Sequence, residues 1–300
     1  MTWSPAHPAR PLACLLGGAV LAIALVGAVP TRASSQQDLR AAPALPPPPP
    51  RAPKVSAWLE RLRVAAAASE RRDVIVALVS ERGVADMPDK ARTVLRNNAV
   101  RRRVFAPGTM GYTFIPPRPQ PIVVFVNTDR VEPSLVDLIA AHELGHVLLH
   151  SRGFLQVVMF PGDPREPLLI DAFNAVQDVL LERELARHGV DTKPLLLRQL
   201  RTIGRALSMA GPDAIVPDSG SLQTSHLATM VTPLMMTVPD GDPAKARLRE
   251  LLPRDVIRLV NKYSKILSGP VATVASYREA IYEACEANGL NRREVEFAPD

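Results

Sequence analysis

Two histidines four residues apart constrain the fold of this 300-residue chain more than any other feature. His142 and His146 enclose Glu143 in the segment H-E-L-G-H. Residues four apart share one face of an α-helix, so a helix here directs both imidazoles towards one metal ion. Apolar residues recur at helical spacing from Leu135 to Leu149, and this periodicity predicts that helix.

Local signals predict where the motif helix begins and ends. The β-branched and aromatic run at 121–126 predicts a strand, and residues 127–130 have the composition of a turn. Glu132 and Pro133 suit a first helical turn, and Gly153 suits a helix C-terminus. We therefore expect a strand, a turn and then the motif helix.

Two histidines and an adjacent glutamate are typical of hydrolytic zinc chemistry. Zinc lowers the pKa of a water molecule to about 7, and Glu143 is placed to take its proton and pass it to a leaving amine. Catalytic zinc sites have three protein ligands. Leu149 and Arg152 occupy the positions of the glycine and the last histidine in the longer motif H-E-x-x-H-x-x-G-x-x-H. The third ligand of the expected single zinc ion must therefore lie elsewhere.

The best source of that ligand is the segment 171–185, whose apolar residues recur at helical spacing. Asn174, Asp178 and Glu182 are four residues apart and share one predicted face. Asp178 is the first candidate for the third ligand, Glu182 is the second, and Asp171 is the third. Asn174 is a candidate for orienting a ligand or the substrate backbone. The alternative for this face is a solvated surface with Glu–Arg pairs.

Together the two segments resemble a known class of enzyme. Bacterial zincin metallopeptidases have a motif helix similar to residues 142–150, HELGHVLLH. Several bacterial families have a later helix, N-x-x-E-D-x-x-x-E-R, similar to residues 174–183, NAVQDVLLER. The resemblance covers about 121–187 and implies a small sheet packed on the motif helix, with an acidic third ligand from the later helix. Gln177 stands where that pattern often has an acid.

Two further histidines, His150 and His226, are weaker candidates for residues of the site. His150 extends the histidine row by four residues, and we expect it to lie behind the ligands or in solvent. His226 lies in the Gly-, Pro- and Ser-containing interval 211–242. We expect it to be a surface or packing residue rather than a stabiliser of an oxyanion. The methionines of this interval are expected to fill the core rather than to line a mobile cap.

The first 53 residues predict export and a spacer. The apolar run at 12–29 lies in an acid-free stretch, 1–33, that ends in small residues. This pattern indicates a secretory signal peptide, with an uncleaved membrane tether through 12–29 as the alternative. We thus expect a periplasmic or secreted protein, or one anchored to the membrane and facing the cell exterior. Residues 34–53 contain a proline run and predict an extended linker.

Residues 54–300 are long enough for one catalytic domain with a sizeable core. The expected fold class is α+β, mostly helical and zincin-like. We divide the domain into a helical N-terminal part (54–98), a catalytic core (104–187) and a helical C-terminal part (190–300). Helices in the last part are predicted at 194–210, 243–251, 253–267 and 272–288.

Short strands are predicted at 104–105, 112–115 and 121–126 in the catalytic core. The strand at 121–126 is the candidate for an edge that holds an extended substrate by strand addition. The run 101–103 of three arginines is expected in a solvated loop before the first strand.

Charge and cysteine content restrict the partners and the cross-links. The net charge of +6 is mild, and no basic face with interleaved aromatic residues is visible, so we expect no nucleic-acid binding. The two cysteines are Cys14 and Cys285. Removal of the signal peptide leaves Cys285 without an intramolecular partner, and we expect it to be a small buried apolar residue.

Three functional hypotheses follow. The leading one is an exported zinc metallopeptidase that cleaves a protein or peptide, with Glu143 as general base. The alternative is a non-catalytic, zincin-like envelope protein that binds a partner, which a closed site with a fourth ligand such as His150 would favour. An intracellular regulator that cleaves a repressor is the third hypothesis, and the export signal argues against it.

Overall fold

The computed structural model describes residues 56–81, 83, 87–106, 108–154, 165–210 and 222–297. This part of the chain is mostly helical, contains a small sheet and belongs to the α+β class. The predicted signal peptide or membrane anchor at 1–33 and the linker at 34–53 lie outside the described residues. Among the described helices, none has both the length and the apolar character that crossing a bilayer requires.

The strands are β1 (Val74–Val79), β2 (Gly111–Phe114) and β3 (Ile122–Asn127). The helices before the site are α1 (Ala57–Glu70), α2 (Asp89–Leu95), α3 (Asn98–Val104) and a 3-10 turn (Pro133–Leu135). The two helices that carry the predicted site are α4 (Val136–Ser151) and α5 (Glu166–Arg187). The later elements are α6 (Lys193–Ala210), α7 (Leu222–Thr237), α8 (Pro243–Leu251), α9 (Arg254–Leu267), α10 (Val274–Ala287) and a 3-10 turn (Arg292–Glu294).

The sheet has the strand order β1-β3-β2, with β1 parallel and β2 antiparallel to β3. All six residues of β3 are buried because successive side chains enter two different cores. Ile122, Val124 and Val126 join the main core with α4 and α5. Val123 and Phe125 join a smaller core with α2 and α3.

The expectation that 121–126 forms the sheet edge is wrong. β3 is central, and within the part of the chain that the structure describes, β1 and β2 form the two edges. The apolar character on both faces of β3 is what a central strand requires, since both faces of the sheet are covered.

Two further assignments in the N-terminal half are wrong. Residues 74–79 are the parallel strand β1 rather than part of a helical region. A six-residue apolar run is compatible with the periodicity of a buried helix and with that of a buried strand, and pairing with β3 makes this run a strand. Residues 104–105 are not a strand, since Val104 ends α3. The arginines at 101–103 therefore lie exposed in the last turn of a helix, where their charge favours the helix dipole.

The interval 211–242 contains a helix that was not predicted from the sequence. Residues 222–237 form α7, which packs on α5 and α9, whereas 211–221 lie outside the described residues. Ser, Thr and an internal Pro233 obscured this helix in the sequence. Its methionines pack against the main core, which confirms their role as core filler. Burial of Cys285 is likewise confirmed.

The other predicted helices are confirmed to within a few residues. The motif helix is α4, and Gly153 follows it with a φ of +77°. The helix predicted at 171–185 is the longer α5. The four helices predicted after residue 190 correspond to α6, α8, α9 and α10.

Gly145 allows α5 to approach the motif helix closely. A Cβ atom at Gly145 would lie 2.7 Å from Leu181 Cγ, which is a steric clash in a packed interface. We expect Gly145→Ala to lower the free energy of unfolding by about 2 kcal/mol through overpacking. Gly204 in α6 has no neighbouring atom within 4 Å of the same position.

Gly204→Ala is therefore the matched control, because both glycines lie inside helices. It should raise the free energy of unfolding by about 1 kcal/mol, since alanine is the better helix former. Urea denaturation of both variants measures the difference. Equal stabilisation by the two substitutions would show that close contact between α4 and α5 does not depend on Gly145.

Candidate metal centre

Helices α4 and α5 bring two histidines and one carboxylate together. One ligand atom from each of His142, His146 and Asp178 lies within 4.8 Å of the other two. His146 is buried, whereas His142 and Asp178 are partly buried residues. Within the described residues, this is the one group of three or more His, Cys, Asp or Glu side chains with such spacing.

The other two candidates for the third ligand lie outside this cluster. Glu182 is one turn further along α5 and accepts a hydrogen bond from the Thr192 hydroxyl. Asp171 is about two turns earlier on α5, and its Oδ1 atom is 3.1 Å from His226 Nδ1. Asp178, the first candidate in the sequence, is thus the carboxylate that meets the two histidines.

The Glu143 carboxylate is held in place by strand β2. Thr113 Oγ1 donates a hydrogen bond of 2.6 Å to Glu143 Oε2 and also contacts the backbone oxygen of Glu143 at 3.1 Å. The Glu143 side chain is buried with 1% of its surface exposed. Its other oxygen, Oε1, has no hydrogen-bond partner among the described residues. One oxygen is therefore fixed while the other can accept a proton.

Gly111 provides the space for this carboxylate. A Cβ atom at Gly111 would lie 2.5 Å from Glu143 Oε1 and 2.7 Å from Glu143 Cγ. Gly111 and Thr113 were missed in the sequence, although a glycine inside a strand is a known signal of close approach by another group.

Burial changes the protonation of the acidic groups. It raises the pKa of Glu143 to about 8, while Thr113 opposes the rise and Asp178 adds to it. Burial also raises the pKa of Asp178 to about 7, and the nearby Glu182 adds to this shift. The pKa of Glu182 is raised to about 7 by burial, and its hydrogen bond from Thr192 acts in the opposite direction.

Burial keeps the two imidazoles neutral. It lowers the pKa of His142 to about 4. The pKa of His146 is also lowered far below its ordinary value by burial, with His142 adding to the shift and Gln177 opposing it. Neutral imidazoles can donate lone pairs to a metal, and carboxylates crowded in an apolar setting gain from a divalent cation.

These residues fit a zinc ion. Two imidazole nitrogens and one carboxylate oxygen form a ligand set used by catalytic zinc sites. His146 Nδ1 is buried and has no hydrogen-bond partner among the described residues. A buried polar nitrogen without a partner is costly, and metal binding through this nitrogen would offset part of that cost.

Gln177, where the resemblance departs from its pattern, connects two helices. Its side chain is buried and donates a hydrogen bond of 2.6 Å to the Tyr277 hydroxyl on α10. The Tyr277 ring stacks on Phe154, with 4.7 Å between the ring centroids. Gln177 thus positions α10 against α5 beside His146, and an amide performs this role without the cost of burying a charge.

His150 lies outside the metal cluster because it pairs with a buried carboxylate. Its Nδ1 atom is 2.6 Å from Glu70 Oε1 at the end of α1. Arg72 Nε lies 3.3 Å from the other oxygen of Glu70, and Arg118 donates a 2.8 Å hydrogen bond to the Glu70 backbone oxygen. This network connects the C-terminal turns of α1 and the motif helix.

Glu70→Gln should destabilise the fold in a pH-dependent manner. Burial raises the pKa of Glu70, but His150, Arg72 and Arg118 together lower it by more, so the resulting pKa is below the ordinary value of a glutamate. A depressed folded-state pKa stabilises the native state above the unfolded pKa, and this stabilisation disappears as the pH falls through the folded pKa. We expect a loss of about 2 kcal/mol at pH 7 and a smaller loss at an acidic pH below the pKa of glutamate in the unfolded chain.

Thermal or urea unfolding at the two pH values measures this difference. Glu60→Gln on the exposed surface of α1 is the control, since its partner Arg63 is three residues away on the same helix. A pH-independent effect of Glu70→Gln would contradict the role of the carboxylate charge.

Comparison with family models, curated proteins and solved structures finds no match to this chain. The zincin resemblance therefore stays a prediction, and any functional proposal depends on the chemistry of the cluster itself.

Proposed function

We propose that the chain is a zinc-dependent peptidase with a zincin-like fold. The observation that supports this most strongly is the convergence of His142, His146 and Asp178 beside the buried Glu143. Three ligands from two adjacent helices leave a coordination position open, as catalytic zinc sites require.

In this proposal the ligands and the base have separate tasks. His142, His146 and Asp178 hold one zinc ion, which when bound lowers the pKa of water and polarises a substrate carbonyl. Glu143 Oε1 accepts the proton of the attacking water and returns it to the nitrogen of the leaving amine. Thr113 holds Oε2, so that the carboxylate keeps one orientation during both transfers.

The second candidate, a non-catalytic binding protein, is less well supported. A structural zinc site would use a fourth protein ligand, and His150 was the residue that the sequence offered. His150 instead contacts Glu70, and the cluster in the described residues has three members. His142 and Asp178 are only partly buried residues, which favours a site that a substrate can approach over a closed structural one.

Strand β2 is the proposed support for the substrate backbone. It is an edge strand of the described sheet, contacts α4 and carries the Gly111 and Thr113 that surround Glu143. An extended peptide can add to such an edge through backbone hydrogen bonds. The strand proposed to bind the substrate is therefore β2 rather than β3, because β3 is the central strand of the sheet.

We further propose that the protein is exported. The support is the acid-free apolar segment at 12–29 followed by the proline-rich spacer at 34–53. A signal peptide places the catalytic domain in the cell envelope or outside it, and retention of the segment would tether the domain to the membrane.

A peptide-cleavage screen tests the proposed activity. The full chain, freed of metal and then given one equivalent of zinc, is incubated with a mixture of unrelated proteins and peptides. Mass spectrometry then identifies new N-termini. Zinc-dependent cleavage products support the proposal, and their absence from the zinc-loaded sample contradicts it.

A further inference from the structure

A cavity of about 600 Å³ lies between the start of α1, the start of α4 and the turn from α5 to α6. Its apolar wall includes Trp58, Leu138 and Val190, all of them partly buried. Two carboxylates, Asp137 and Asp191, also line it. Pockets that bind small ligands have a similar volume and a similar lining, which is mostly apolar with a few charged groups.

The cavity is lined by residues at the start of α4 and by residues of the turn that follows α5, the two helices that carry the metal centre. Leu138 is four residues before His142, one turn away on the same face of α4. On the other side, the lining residues Val190 and Asp191 come just before Thr192. The Thr192 hydroxyl donates a hydrogen bond to Glu182, which lies one helical turn from Asp178 on α5. One helical turn is about 5.4 Å, and an extended peptide advances about 3.4 Å per residue, so the spacing from His142 to Leu138 along α4 corresponds to about two residues of such a peptide.

The cavity carries an excess of negative charge. Asp137 is half-buried and has no hydrogen bond or ion pair among the described residues. Asp191 uses Oδ1 to accept the Lys193 backbone amide at 3.1 Å, and its other oxygen has no partner in the same ranges. Asp137, half-buried and without a partner, gains from an incoming cation, whereas Asp191 is exposed and adds negative charge at the rim.

The positive groups at the cavity do not neutralise these carboxylates. Arg61 is exposed at the rim, and no ion pair joins it to either aspartate in the described structure. His188 points to another acid, since its Nε2 atom is 3.7 Å from Glu184. Among the described residues that line the cavity, Trp58 is the one large aromatic side chain, and an aromatic face attracts a cation.

We propose that this cavity binds a lysine or arginine side chain of the substrate, close to the bond that is cleaved. Trp58 and the apolar wall would contact the aliphatic stem, and Asp137 and Asp191 would bind the charged head. This inference depends on the proposed peptidase function for its placement next to a scissile bond. The binding of a basic side chain can be measured separately from cleavage.

The binding experiment uses the fluorescence of Trp58. The chain has two tryptophans, so Trp3→Phe leaves Trp58 as the sole reporter, and Glu143→Gln prevents turnover. The full-length double variant is titrated with a blocked alanine hexapeptide that contains one arginine, and with the same peptide containing citrulline. Citrulline keeps the shape of arginine and removes its charge.

We expect the arginine peptide to change the Trp58 emission and to bind about tenfold more tightly than the citrulline peptide, the effect of one charge-assisted contact. Asp137→Asn and Asp191→Asn should each remove most of this preference, and the asparagine at 191 keeps the oxygen that accepts the Lys193 amide. Asp255→Asn on α9, which does not line the cavity, is the control. Equal affinity for both peptides would overturn the proposal.

A cleavage experiment separates the two proposals. With wild-type protein, kcat/KM for the arginine peptide should exceed that for the citrulline peptide by about tenfold and fall in the two asparagine variants. Cleavage of both peptides at equal rates would overturn the cavity proposal and leave the peptidase standing. Selective binding without any cleavage would overturn the peptidase and leave the cavity as a binding site for basic side chains.

Discussion

Glu143→Gln is expected to lower kcat for peptide hydrolysis by about 10³-fold, the contribution of a general base, while zinc stays bound. Glutamine keeps the size of the side chain and the hydrogen bond from Thr113, because its amide oxygen can accept where Glu143 Oε2 does. It cannot accept and return a proton. Hydrolysis is measured with a peptide found by mass spectrometry, and zinc by elemental analysis of the same sample.

Glu182→Gln is the matched control for this result, since it removes a second buried carboxylate from the same region. Glu182 accepts a hydrogen bond from Thr192 and lies outside the cluster of possible ligands. Its loss should change kcat far less than the loss of Glu143. Hydrolysis at a normal rate by Glu143→Gln would refute the assigned mechanism.

Asp178→Ala is expected to remove zinc from the protein almost completely. Loss of one of three ligands should weaken zinc affinity by more than about 100-fold, because even supporting groups of such sites contribute 10–100-fold. The pKa of Asp178, raised to about 7, adds a pH dependence. Protonation of this carboxylate competes with zinc, so zinc affinity of the wild type should fall as the pH decreases below 7.

Asp178→Ala and Glu182→Ala are both dialysed against metal-free buffer, and their zinc content is then measured by elemental analysis. Glu182→Ala should retain close to one zinc per chain. The two substitutions remove carboxylates one helical turn apart, so their comparison identifies the ligand rather than a general effect of acidic charge on α5. Zinc retained by Asp178→Ala and lost by Glu182→Ala would show that the ligands differ from those in the described cluster.

The two helices of the site could be predicted because their signals are local. The H-E-x-x-H spacing requires a helix, and the four-residue spacing of Asn174, Asp178 and Glu182 places these side chains on one face. Helical periodicity identifies the buried face of each helix, but it does not determine the angle and position at which two helices cross. Gly145 allows Leu181 to pack closely where the two helices cross, and their crossing brings Asp178 rather than Glu182 to the histidines.

The sheet and the support of Glu143 could not be predicted, since they depend on contacts distant in sequence. The run at 74–79 becomes a strand by pairing with residues 122–127. Thr113 binds a glutamate thirty positions later. A polar residue and a glycine in a short strand indicate that something approaches closely, but they do not identify the group that approaches.

Zinc titration of the metal-free, full-length wild-type protein measures whether one bound zinc ion is required for peptide hydrolysis. The rate of peptide hydrolysis is followed as zinc is added. We expect no hydrolysis without metal, a linear rise with added zinc, and an end point at one zinc per chain. Hydrolysis that continues in metal-free protein, or one bound zinc without hydrolysis of any peptide, would contradict it.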